Sequence, residues 1–296
     1  MKRLTAAGGL AGADQAAGGP FQARMPSQPV DWYDFPHYFD LAFRDETKAE
    51  VRFLVAAFEK YCQGPVRRLL EPGCGSGRLV TALADRGYEM IGIDQNSIAL
   101  AYLQKRLTRR GLAARLIHGT MASFRLPRGV DAAFCTFNTF RHLLTEDAAR
   151  SHLQCVADHL REGGIYVLGL HLLPPDASEE ACERWSAGQG ATRLSVTLRV
   201  LATDRRKRLE RLRMSLLVRT PKRLRRLRSE FLLRIYTARH FRSLLTTVPS
   251  LELCDVFDFW YEIDRPRQLT DEMSDTVLIL RKRKPAGESR GLVVTR

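Results

Sequence analysis

Three glycines at alternate positions and two acids are the residues of this chain whose spacing could do chemistry. They lie in Glu71-Pro72-Gly73-Cys74-Gly75-Ser76-Gly77-Arg78 and, 17 residues after Gly77, at Asp94. Glycine lets a backbone turn sharply and approach a ligand that any Cβ would push away. An acid at a strand tip can accept from both hydroxyls of a ribose. Glu71, just ahead of the glycines, suits an ammonium group rather than a phosphate. A dinucleotide fingerprint needs G-x-G-x-x-G, and Arg78 stands where its third glycine would fall. A Walker loop is excluded as well, because no Gly-Lys-Ser/Thr follows.

The elements that must position these residues are written in the flanking pattern. An apolar run from Val66 to Leu70 reads as a buried strand. Leu79, Val80, Leu83 and Ala84 form an amphipathic helix pattern that ends at Gly87, and Tyr88 to Ile93 is a second strand. Strand, glycine turn, helix, strand and acid make one half of a nucleotide-binding α/β sheet. The pattern then gives a helix over 98–109, a strand over 113–118, a strand over 130–136 and a helix capped by Thr145 that runs to Leu160. A fifth strand covers 165–170. Upstream, Thr47 to Tyr61 is a helix with Val51, Leu54, Val55 and Phe58 on one face. Ligands of open α/β sheets sit beyond the C-terminal strand ends. Phe137 to Leu144 and His171 stand there, so His142, His171 and Tyr261 are the candidate bases.

The stretch Glu71 to Arg78 resembles motif I of the class I S-adenosylmethionine-dependent methyltransferases, and Gly92-Ile93-Asp94-Gln95-Asn96-Ser97 resembles their second motif. The resemblance covers residues 31 to 283. It implies an α/β fold: a Rossmann-like seven-stranded methyltransferase sheet, its last two strands being a hairpin from 251–259 and 276–281. It also implies S-adenosyl-L-methionine as the cofactor. By the same resemblance Glu71, Gly73 and Gly75 lie beside the methionine part, with Gly77 and Arg78 completing the turn, and Asp94 holds the ribose next to Gln95. Thr120 stands where the family usually has an acid for the adenine amino group, and Met121 would line the ring. A hydroxyl accepts that hydrogen bond more weakly than a carboxylate. Phe137 and Asn138 would border the cofactor near the transferred methyl group. The aromatic lead-in, Asp31 to Phe43, offers Tyr33, Tyr38 and Arg44 to close over the cofactor carboxylate. Residues 137–140 are not Asn-Pro-Pro-Tyr, which counts against methylation of planar base or glutamine amines.

At 296 residues with 45% apolar content, the chain can bury a sizeable core. No run reaches the ~18 apolar residues of a membrane span. The start lacks a leucine-rich signal core, and the six scattered cysteines form no C-x-x-C pair, so they read as small buried residues of a reducing compartment. The expected location is cytoplasmic, with no metal and no membrane. Residues 1–29 read as a disordered leader, 30–173 and 237–283 as the methyltransferase domain, 174–236 as an inserted antiparallel cap, and 284–296 as a flexible tail. The cap is expected as three half-buried strands laid across the mouth of the site, with turns at Thr203-Asp204-Arg205 and Thr220-Pro221-Lys222.

Residues 193–242 hold 17 Lys and Arg against Asp204, Glu210 and Glu230, a surplus of +14 that equals the net charge of the whole chain. The arginines alternate with apolar residues and so line the solvent face of the cap. Three readings stand: a solvated outer face, steering of an acidic small molecule, or a nucleic-acid partner. The expected function is methyl transfer to N or O of a small molecule, an acidic one included. The alternatives are an RNA or protein methyltransferase that uses the basic cap, and a cofactor-binding module without turnover. Neither the acceptor nor the oligomeric state follows from the sequence.

Overall fold

A computed structural model describes residues 27–284. The strands are β1 (Gln28–Pro29), β2 (Arg68–Pro72), β3 (Glu89–Asp94), β4 (Ala114–His118), β5 (Val130–Cys135), β6 (Leu160–His171), β7 (Cys182–Gln189), β8 (Thr192–Asp204), β9 (Leu209–Thr220), β10 (Arg223–Arg234), β11 (Leu251–Phe257) and β12 (Asp275–Lys282). The helices are α1 (Pro36–Ala42), α2 (Thr47–Tyr61), α3 (Arg78–Ala84), α4 (Ser97–Arg109), α5 (Glu146–His159) and α6 (Ala238–Thr246).

Seven strands form one sheet in the order β11-β12-β6-β5-β2-β3-β4. Strands β2 to β6 run parallel, and β12 and β11 close the sheet antiparallel. Leu69 and Leu70 on β2, Ala132 and Ala133 on β5 and Val167 and Leu168 on β6 are fully buried, because helices cover both faces. One face packs on α5 and α6 through Leu153, Val156, Phe241 and Leu244, the other on α2, α3 and α4 through Leu54, Phe58, Leu83 and Leu103. Strand β2 pairs with both β3 and β5, so the strand order reverses beside it. That crevice is where open α/β sheets bind ligands.

Between β6 and α6 the chain builds four strands that form, with β1, a second sheet ordered β1-β10-β9-β8-β7. Leu194, Val196, Leu212, Met214, Leu216 and Leu227 bury one face of it against Trp32, Tyr38, Leu41 and Phe43. Arg141 fastens this sheet to the first. Its guanidinium donates to the Arg234 carbonyl at 2.8 Å and pairs with buried Glu210. Arg234 in turn pairs with Glu146 at 2.6 Å, and the Trp185 indole donates to the Ala42 carbonyl at 3.1 Å.

Four expectations need correction. The insert has four strands rather than three, because β7 alternates only Trp185 and Ala187 on its inner side and lacks a branched apolar run. Gln28 and Pro29, counted with the leader, are an edge strand parallel to β10, a place where a proline's missing donor costs nothing. The fifth strand begins at Leu160, since Gly164 lies tight against the Asp131 carbonyl and lets β6 stay paired through a bulge. Of the cysteines only Cys74 and Cys135 are buried, and Cys182 is exposed. The leader over 1–26 and the tail over 285–296 lie outside the described residues. No described helix is long and apolar enough to cross a membrane.

Candidate active site

A cavity of about 550 Å3 opens at the ends of β2, β3 and β5. Its floor is the glycine turn. Gly73 and Cys74 both donate to the Ile93 carbonyl, at 2.7 and 2.9 Å, folding the turn onto the end of β3. Gly73 and Gly77 have φ of +72° and +70°, where a side chain is strained. Contact adds to that requirement: a Cβ on Gly73 would lie 2.4 Å from Thr139, and one on Gly77 2.1 Å from Leu103. Around Gly75 a Cβ would meet nothing within 4 Å, which is the space of the cavity itself.

Asp94 closes the turn from the β3 side. One carboxylate oxygen accepts from Gly75 N at 2.7 Å and the other from Asn96 N at 2.8 Å. Each carboxylate oxygen can take a second donor, so a diol remains within its capacity. Glu71 lies deeper. One of its oxygens is buried with no partner among the described residues, and burial pushes its pKa well above the usual carboxylate range, with Glu50 adding to the shift and Arg78 opposing it. Arg78 pairs with Glu50 at 2.8 Å and lies 4.7 Å over the Phe137 ring. Thr136 donates to the same Glu50 at 3.0 Å. Two buried acids thus share one buried guanidinium, so a second cation beside Glu71 would offset the burial that disfavours its charge.

The opposite wall comes from the lead-in and the β5 turn. The Tyr33 hydroxyl lies 2.8 Å from His142 Nε2, and both line the cavity with Phe39 and Leu143. Burial, helped by Arg141, holds the His142 pKa down to about 4, so its imidazole is neutral at ordinary pH. Phe137 and Asn138 have φ of +57° and +65°. Two successive non-glycine residues in the left-handed region store strain at this turn, as functional sites often do.

The cavity brings together Glu71, Gly73, Gly75, Arg78, Asp94, Gln95, Thr120, Met121, Phe137 and His142. Six other expected residues lie elsewhere. Tyr38 is buried among the aromatics under the second sheet, stacked on Phe35. Arg44 is exposed and donates to Gln189. Gly77 is a packing glycine against α4. Asn138 turns its side-chain oxygen to His171 N at 2.7 Å, a structural bond. His171 is tied to Asp275 at 2.7 Å, and Tyr261 lines a separate 70 Å3 hollow with Phe259 and Glu46. Sequence reading missed Glu50, although an acid four residues before Leu54 on a buried helix stripe calls for a cationic partner. It also missed Asn96 and Thr136, whose short polar side chains carry no such signal.

Residues 69–164 match the family described as Methyltransferase domain. A solved S-adenosylmethionine-dependent methyltransferase from Clostridium acetobutylicum ATCC 824 superposes with a TM-score of 0.69 at 16% identity, over 86% of this chain and 99% of that one. Residues 69–164 are a methyltransferase domain, and the fold around them is that of S-adenosylmethionine-dependent methyltransferases. A sugar N-methyltransferase from Streptoalloteichus sp ATCC 53650 has the same fold, with a TM-score of 0.62 at 17% identity over 95% of this chain and 99% of that one. Among curated relatives, a protein of Geobacillus sp. (strain WCH70) with a methyltransferase name is 23% identical over 143 residues, 48% of this chain and 58% of that one. Another, from Mycolicibacterium smegmatis (strain ATCC 700084 / mc(2)155), named for S-adenosylmethionine-dependent methyl transfer, is 30% identical over 107 residues, 36% of this chain and 38% of that one. The chain therefore spans less than two thirds of the length of these curated relatives.

The walls of the methyltransferase domain suit its cofactor. S-adenosylmethionine carries an ammonium and a sulfonium against one carboxylate, so its net positive charge would favour the ionised form of Glu71 that burial otherwise opposes. The orphaned Glu71 oxygen is the natural acceptor for the ammonium. Thr120 already accepts from Ala122 N at 3.2 Å, yet its hydroxyl keeps a donor and a further lone pair.

Proposed function

We propose that this protein transfers a methyl group from S-adenosyl-L-methionine to a nitrogen or oxygen of a small molecule. The observation that supports the reading best is the Tyr33–His142 pair, held in the same cavity as the Glu71–Asp94 turn. At about 550 Å3 that cavity falls in the range of small-molecule sites.

The bound cofactor supplies an electrophilic methyl carbon activated by its sulfonium. What the chain supplies is position and a path for a proton. Glu71 takes the ammonium, Asp94 the ribose hydroxyls, and Met121 and Thr120 border the adenine. Phe137, fixed by its strained backbone and by Arg78 over its ring, excludes water between cofactor and acceptor. Neutral His142 can accept the Tyr33 proton at Nε2, which turns the tyrosine oxygen toward a proton on the acceptor. A base held near pKa 4 is too weak to ionise an alcohol but can relay a proton from an ammonium that is losing one, so the pair favours nitrogen. Solved neighbours of this fold include a sugar N-methyltransferase and an amino pentose methyltransferase from Micromonospora echinaspora, which agrees with an aminated sugar as the acceptor.

The RNA-methylating reading is weaker. The inner side of the second sheet packs on Tyr33 and Phe39, which line the cavity, so the arginine side faces away from the methyl group.

Calorimetric titration with S-adenosylmethionine and its demethylated product tests the first half of the proposal. Micromolar binding that Asp94→Ala weakens ~10- to 150-fold is the expected result, whereas no binding by a folded protein would sink it. Turnover on a panel of amino sugars tests the second half. His142→Phe should lower kcat roughly 100-fold with little change in KM, and an unchanged kcat would remove the pair from the mechanism.

A further inference from the structure

The outer face of the second sheet is a lattice of guanidiniums. The ladder registers place Arg193 directly opposite Arg219 and Arg199 directly opposite Arg213. Like charges facing each other across strands oppose folding. The next strand adds Arg228 beside Ser215 and Arg226 beside Leu217, and β7 adds Arg184 beside Thr197. A single acid, Glu230, stands on this face, paired with Arg213 and Arg228. Arg184, Arg199, Arg211 and Arg219 are exposed and have no carboxylate partner among the described residues. Between the two arginine pairs lie Ser195, Thr197 and Ser215, whose short hydroxyl side chains leave Leu217 as the one apolar side chain there.

We infer that this face binds the backbone of double-stranded RNA. Planar guanidiniums present forked donors that match phosphate oxygens, and every cation on the face is arginine. In-plane spacings of about 4.8 Å across strands and ~6.6 Å along them let a continuous phosphodiester chain meet several at once. The face has no aromatic side chain, since Trp185 and Phe231 point to the inner side. It therefore offers unpaired bases nothing to stack on, and single strands gain little. The strand face also presents no helix to enter the deep major groove of B-form DNA. The wide, shallow minor groove of A-form RNA can lie against it, with its 2′-hydroxyls within reach of the serine and threonine hydroxyls. The site is independent of methyl transfer, being on the opposite side of the sheet from the cavity.

The experiment is fluorescence anisotropy of the full chain with a labelled 20-base-pair RNA duplex, the DNA duplex of the same sequence, the RNA single strand, and poly-L-glutamate. The RNA duplex should bind tightest, whatever its sequence. Raising salt from 50 to 200 mM should weaken it ~100-fold, as four neutralised phosphates require. The Arg193→Gln/Arg199→Gln/Arg211→Gln/Arg219→Gln variant should lose at least ~30-fold at 50 mM salt and most of the salt slope. Its thermal midpoint should match or exceed the parent's, because facing like charges are removed, so lost binding cannot be blamed on unfolding. No duplex binding at 50 mM salt, or binding the variant leaves intact, overturns the inference. Poly-L-glutamate bound as tightly as the duplex would overturn it in favour of an acidic protein, and DNA bound as tightly would overturn the choice of RNA.

Discussion

Helices cover both faces of the seven-stranded sheet, and β2, β5 and β6 are buried along almost their whole length. The five-stranded sheet is covered on one side only, where it alternates leucine and valine with the arginines of the other side. The first sheet buries its charges and pairs them around a cavity. On its open face the second leaves its charges in water and sets two arginine pairs face to face. A sheet buried on both sides constrains nearly every residue by packing, so it can hold a few polar groups in fixed places. A one-sided sheet constrains every second residue and leaves the others open to selection by a partner.

Glu210→Ala should separate the two halves most severely. Glu210 is the buried partner of Arg141 where the sheets join. Leaving that guanidinium buried and unpaired should cost about 3–5 kcal/mol in urea unfolding and disturb both activities, whereas a cost under 1 kcal/mol would show that the sheets are independent. Asp94→Ala should weaken S-adenosylmethionine binding ~10- to 150-fold by calorimetry while leaving duplex binding untouched. Gly77→Ala forces a Cβ into Leu103 at a positive φ and should lower stability by about 2 kcal/mol without touching the second sheet.

The smallest expected effect is on pH dependence. Burial holds His142 and His152 at about 4, below the ordinary histidine value near 6.5. Between those two values the unfolded chain binds protons that the folded chain refuses, so stability should fall as pH drops from about 6.5 to about 4. His142→Gln should flatten that fall by up to ~1.4 kcal/mol per pH unit in unfolding curves at pH 7, 5.5 and 4.5. An unchanged slope would mean that His142 is not buried as neutral imidazole.

The same contrast explains what could be read in the sequence. The bounds of α2 and the strands carrying Glu71 and Asp94 were legible because burial on both faces leaves apolar runs and the glycine turn leaves a spacing. The half-buried strands β8, β9 and β10 were legible from their alternation. Strand β7 was not, since Trp185 and Ala187 are too few to show a period, and β1 was not, since two edge residues have none. The expected residues on strand ends line the cavity, whereas several of those expected from afar pack elsewhere. Tyr33 and Tyr38 look alike in sequence, yet Asp31 caps a short turn that sends Tyr33 toward His142, while α1 carries Tyr38 under the second sheet. His171, Tyr261 and Asn138 have the types a mechanism would use, and only their tertiary partners show them to be fixtures of the frame.

Leu173 N donates to the Tyr236 carbonyl at 2.7 Å, so the chain leaves the first sheet and returns to it at adjacent points. A segment of some sixty residues is thus spliced into its host through a single doorway. Shortening, lengthening or replacing it need not shift any strand that carries Glu71 or Asp94. Evolution, or an engineer, can exchange the outer arginine lattice for another surface and keep the cofactor chamber as it is.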